Sequence, residues 1–141
     1  MGQQQLLLVI LVTIIVGIAT VVAINTFSSA SDNASVDAVT NDVAQIASSA
    51  QSYYMKPTMM GGGGNSFSGL TFNDIAFSAD SVFNSGLSAA NANGTYVMST
   101  PTATGFTITA TPAIAGGTVT AGVIEDGIDP DNPINYIPPA Q

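Results

Sequence analysis

The sequence predicts an α+β fold in which one long N-terminal helix packs on an antiparallel β-sheet, and three observations carry that expectation. Leu6 to Ile24 is an uncharged, almost wholly apolar run of nineteen residues, about the length a helix needs to cross the hydrocarbon of a bilayer. Behind it, Val36, Val39, Val43, Ile46, Ala47, Ala50, Tyr53 and Tyr54 advance by threes and fours, the spacing of one buried helix face. Between Thr95 and Ile124 three segments alternate apolar with small polar side chains, the period of strands covered on one face only.

These elements divide the chain into an apolar half-helix, residues 1–30, for a membrane or filament core, and a globular head, residues 31–141. The run is hydrophobic on nearly every side, as expected of a helix surrounded by lipid or by other helices. Thr13, Gly17 and Thr20 form one stripe of small residues along which a neighbouring helix can approach closely; the alternative is that the threonine hydroxyls bond back to their own helix and Gly17 is merely tolerated. Residues 25–35 are mediocre helix formers without Gly or Pro, so the helix either continues or restarts at Ser31 or Asp32. The amphipathic half then occupies 31–55. A continuous helix to Tyr54 would be roughly 80 Å long, far longer than the head it serves.

Lys56 and Pro57 end the helix, and Gly61 to Gly64 are expected to form a highly flexible run. They are no phosphate loop, because no Gly-Lys-Ser/Thr follows and no strand precedes them. The segment 56–93 reads as a compact connecting loop whose Phe67, Leu70, Phe72, Ile75, Phe77 and Phe83 cover one edge of the core. The strands lie within 94–124: Tyr96 and Met98 share a face, then Phe106, Ile108 and Ala110, then Val119, Ala121 and Val123. The tail, 125–141, is too rich in proline for a helix or a central strand and is expected to lie extended along the head.

Composition narrows function. One Lys, no Arg, no His and nine acidic residues give a net charge of −8, which opposes unaided binding to nucleic acid or anionic lipid. Without His or Cys, only a carboxylate pair could act as acid and base, and no enzyme is expected. Neither Lys nor Arg flanks the apolar run, so a basic leader is expected to have been removed upstream.

The opening MGQQQLLLVILVTIIVGIATVVAI, with the amphipathic half-helix, connecting loop and sheet behind it, resembles type IV pilins, of the bacterial type given the long amphipathic arc. The motif-level likeness covers about a fifth of the chain. It implies a structural subunit without cofactor. A prepilin peptidase would remove the leader, the new N-terminus would be methylated, and the subunit would wait in the inner membrane. Pilus assembly machinery would then polymerise it with itself into an extracellular filament for adhesion, motility or uptake. On that resemblance the polymerisation residues are Met1, Gln5, Thr13, Gly17 and Thr20. The glutamate usual near the mature end is absent: its place falls on Gln5 if Met1 is the mature end, as the lack of a basic leader favours, or on Leu7 if cleavage follows Gly2 and Gln3 leads. The family's helix-loosening proline and its cysteine pair are absent too. A pseudopilin of a secretion system and a single-span anchor displaying a small binding module are the alternatives.

Remaining candidates are weak. Asp126, Asp129 and Asp131, with Glu125 beside them, could ligate calcium, but match no EF-hand loop and read better as a solvated tail. Asn33 and Asn93 stand in glycosylation patterns that also arise by chance. Phe27, Tyr53 and Tyr54 are expected to be core residues rather than an electron path.

Overall fold

A computed structural model describes residues 2–140. Helix α1 spans Gly2–Met55 without interruption, so the weak helix formers from Asn25 to Ser35 neither break nor restart it. A seven-stranded antiparallel sheet follows: β1 Ser81–Phe83, β2 Ser88–Ala90, β3 Gly94–Met98, β4 Gly105–Pro112, β5 Thr118–Ile124, β6 Gly127–Ile128 and β7 Asn135–Ile137. Strands β1 to β6 pair in chain order, and β7 returns to pair with β5.

The second half of α1 lies across β4, β5 and β6. Its arc is buried as the periodicity requires: Val39, Val43, Ile46, Ala47 and Ala50 are inaccessible or nearly so, with Val36, Tyr53 and Tyr54 packed against them. Opposite them Tyr96 and Met98 of β3, Phe106, Ile108 and Ala110 of β4, and Val119, Ala121 and Val123 of β5 face inward. Each large side chain buried here contributes about 1.5–3 kcal/mol, and together they form an extended core.

The segment 56–93 departs from a plain loop. It contains β1 and β2, each three residues long and invisible to a period-two search, because β1 is exposed throughout and β2 is Ser-Ala-Ala. The turn between them puts Asn84 and Ser85 at positive φ, 52° and 57°. Phe67, Leu70, Phe72 and Ile75 are buried as expected and Phe77 packs on the core, but Phe83 lies on the edge strand and is 48% exposed.

The glycine run is also ordered rather than free. The N–H of Gly63 donates to the carbonyl of Tyr53 (2.8 Å), that of Gly64 to Lys56 (2.9 Å) and that of Asn65 to Tyr54 (2.8 Å). The chain thus folds back to satisfy carbonyls that a helix end leaves without partners. A Cβ on Gly63 would stand 1.8 Å from the carbonyl oxygen of Ser66, so close backbone approach explains that glycine.

The tail lies along the head as expected, adding only the short pairings of β6 and β7. Tyr136 pins it, its hydroxyl donating to the carbonyl of Gly116 at 2.6 Å.

Since the buried core begins at Ser35 on the helix, a chain starting at Thr26 should fold as a soluble monomer with one cooperative thermal transition. In that chain Ile46→Ala should cost about 2–5 kcal/mol by denaturant titration. A head that loses its near-ultraviolet dichroism when the rod is removed would contradict this independence.

Candidate functional site

The first half of α1 presents the largest feature that the chain leaves uncovered. Its most apolar eighteen-residue window has a mean hydropathy of 3.2 and none of it is buried. Leu7 is 64% exposed and Ile18 61%. It lies in the one helix, among the described residues, long and apolar enough to cross a membrane. Continuous exposed apolar surface on this scale marks an interaction with a partner or a membrane.

The expected small-residue stripe lies on this exposed rod. Thr13 donates its hydroxyl to the carbonyl of Ile10 and Thr20 to that of Val16, both at 2.8 Å; Thr26 does the same to Val22 at 2.9 Å. The hydroxyl protons are thereby used within the helix, as in the self-bonding alternative. A Cβ on Gly17 would meet nothing within 4 Å, so no contact within the chain demands glycine there. Gln5 and Leu7 are exposed near the start of the helix; Met1 lies outside the described residues.

Phe27 corrects the reading of the helix aromatics as core. Tyr53 and Tyr54 pack on the core, and Tyr54 stacks on Phe67 with ring centroids 4.8 Å apart, but Phe27 is 77% exposed. The sheet does not reach that far down the helix. Below Phe27 the helix surface dips over Ala19, Thr20 and Ala23. Above it a hollow opens between α1 and the β2–β3 and β4–β5 loops.

Sequence reasoning missed a second feature, a polar cluster that locks the head to the helix. Asp42 Oδ2 accepts hydrogen bonds from Asn91 Nδ2 (2.9 Å), Asn93 Nδ2 (2.8 Å) and Tyr96 Oη (2.5 Å). Burial pushes the Asp42 carboxyl up, but the bonds from Tyr96, Asn91 and Asn93 outweigh it and hold the group below its ordinary range. Tyr96 is pushed up, first by burial and then by the bond to Asp42 and its charge, against a weaker opposing bond to Asn91. Tyr54 is likewise raised, chiefly by donating to Glu125 at 2.9 Å. No local spacing announces the Asp42 cluster, because its partners lie 49, 51 and 54 residues away.

The cluster bears on Asn93, whose side-chain nitrogen is engaged with Asp42 in a partly buried setting and is poorly placed to carry a glycan. Asn33 is exposed on the helix. The structure does not gather the calcium candidates: Asp129 Oδ1 instead accepts from the backbone N–H of Asp131 at 2.9 Å. Among the described residues no three acidic, His or Cys side chains are placed to hold a metal ion.

Fold and surface together define a class of architecture, a helix-on-sheet head carried on an uncovered apolar rod. Comparison with family models, curated proteins and solved structures found no match to the chain.

The Asp42 cluster sets a pH window. A lowered carboxyl stabilises the fold above its ordinary value of 3.8 and loses that contribution as pH falls through the folded value. A raised phenol stabilises it below 10.0 and loses that contribution as pH rises beyond. Thermal melts of the head should therefore show this pair's contribution intact between about pH 5 and 9 and fading on both sides. Asp42→Asn should cost about 1–2 kcal/mol at pH 7 and flatten both flanks, and equal melting of variant and parent from pH 3 to 11 would refute the assignment.

Proposed function

We propose that the protein is a structural subunit that polymerises through its apolar N-terminal half-helix into an extracellular filament resembling a type IV pilus. One observation carries the reading: an apolar half-helix with no cover from its own chain continues, unbroken, into a half-helix that is the spine of a folded head. The rod needs a second environment. Before assembly lipid supplies it, and after assembly copies of the same rod do, with apolar side chains each contributing about 1.5–3 kcal/mol when fully covered. The heads, with their hydroxyl-rich outer sheet face and acidic tail, remain in water outside the bundle. Prepilin peptidase and pilus assembly machinery are the partners this role requires, and adhesion, motility or uptake the purposes it serves.

The same observation favours a second reading, a single-span anchor that displays the head as a binding module. Location and sensitivity to packing separate the two. Material sheared from cells should contain filaments by electron microscopy, and their intact mass should show a methylated Met1 or Gln3 at the N-terminus. Gly17→Leu should cut filament yield at least tenfold while leaving the subunit in the membrane, because a bulky group on the small-residue stripe keeps neighbouring helices apart. Release by detergent alone, an unprocessed N-terminus and indifference to Gly17→Leu would establish the anchor instead.

A further inference from the structure

We infer that Phe27 is an assembly knob whose socket is the hollow beside the base of the head of a second copy. This rests on the filament reading and names the contact that would set the stagger between neighbours. Phe27 is 77% exposed although the chain leaves it no role in its own core. The hollow above it, lined by Ser31, Ala34 and Ser35 of the helix, by Asn93 of the β2–β3 loop and by Ala113 and Ile114 of the β4–β5 loop, has a volume of about 240 Å³. A benzene ring needs about 150 Å³ of cavity, so this open hollow has room for a phenyl group between its alanines and Ile114. Ile114, 68% exposed, forms an apolar wall without cover.

Phe27 cannot fill the hollow of its own chain. The Cα–Cβ bond of a helical residue tilts toward the N-terminus, away from residues 31–38, and Ala34 stands about 10 Å farther along the axis. A second copy displaced by that distance along the same axis brings its ring level with Ala34. Charge points to the same surface. Copies that each carry −8 repel one another, and neither Phe27 nor any residue lining the hollow is charged. A buried aromatic supplies about 150–250 Å², short of the roughly 800 Å² per partner of a stable interface. The socket therefore acts as the upper end of a contact that continues down the exposed rod. Because knob and socket are different patches of one chain, the contact is heterologous and propagates instead of closing into a dimer.

The chain contains no cysteine, so engineered thiols report the contact without background. Full-length Phe27→Cys/Ala34→Cys protein, assembled on cells, sheared and mildly oxidised, should give a reducible ladder of dimers, trimers and higher species, absent from either single variant. The two positions of one chain lie about 10 Å apart on a rigid helix, beyond the roughly 7 Å limit of a disulfide. Filaments of the double variant that stay monomeric on a non-reducing gel would overturn the knob while leaving the filament reading in place. If the double variant does not assemble, the test moves to size exchange. Phe27→Ala and Ala34→Phe should each lower filament yield at least tenfold, and the combination should recover most of it; a combination as poor as the single changes would overturn the knob. Parent protein found only in detergent extracts would remove the filament reading and the knob with it.

Discussion

Everything in this protein depends on one helix lying in two surroundings. From Ser35 onward α1 is the middle of a folded core, its valine and isoleucine arc lying across β4, β5 and β6. From Gly2 to Ala30 the same helix is exposed throughout. Backbone hydrogen bonding makes the two halves one continuous helix, so whatever the rod binds is tied directly to the head. The rod cannot satisfy itself by folding back, since a single helix has no second layer of its own chain to lie against.

The head achieves its cohesion with almost no positive charge. Asp42 is held without any cationic partner, by two amide groups and a phenol that converge on one carboxylate oxygen. Neutral donors suffice because the site is only partly desolvated and a hydrogen bond to a charged group is stronger than one between neutral groups. The cluster ties the middle of the amphipathic half-helix to the β2–β3 turn and to β3, at the end of the core opposite the glycine fold-back. Between those two attachments, Gln45 and Ser49 also donate to the carbonyl of Ala76 at 3.4 and 3.3 Å, beside the apolar arc.

Charge also shapes what the surface can do. The acidic residues lie on the head and tail, while the rod from Gly2 to Ser31 carries none. On the filament reading, contact between copies is unfavourable wherever heads meet acid to acid and carries no such penalty along the rod. Phe27 and the hollow above it sit at the junction of rod and head, where the apolar rod gives way to small residues among which Asp32 and Asp37 are already exposed.

Local sequence determined the rod, the buried arc of the helix and strands β3, β4 and β5, because each is written as a period of about 3.6 or of 2 over neighbouring residues. Val39, Val43 and Ile46 are buried for the reason their spacing states. Tertiary structure alone decided the rest. It ordered a glycine run that local chemistry marks as flexible, because the carbonyls at the helix end needed donors. It drew β1 and β2 out of an apparent loop, since an exposed edge strand and a strand of small residues have no alternation to show. It left Phe27 outside a core that its helical spacing seemed to join, because the sheet ends before reaching it. The Asp42 cluster, joining residues some fifty positions apart, lies beyond any local rule: periodicity records which face of an element is covered, and only the packed fold records by what.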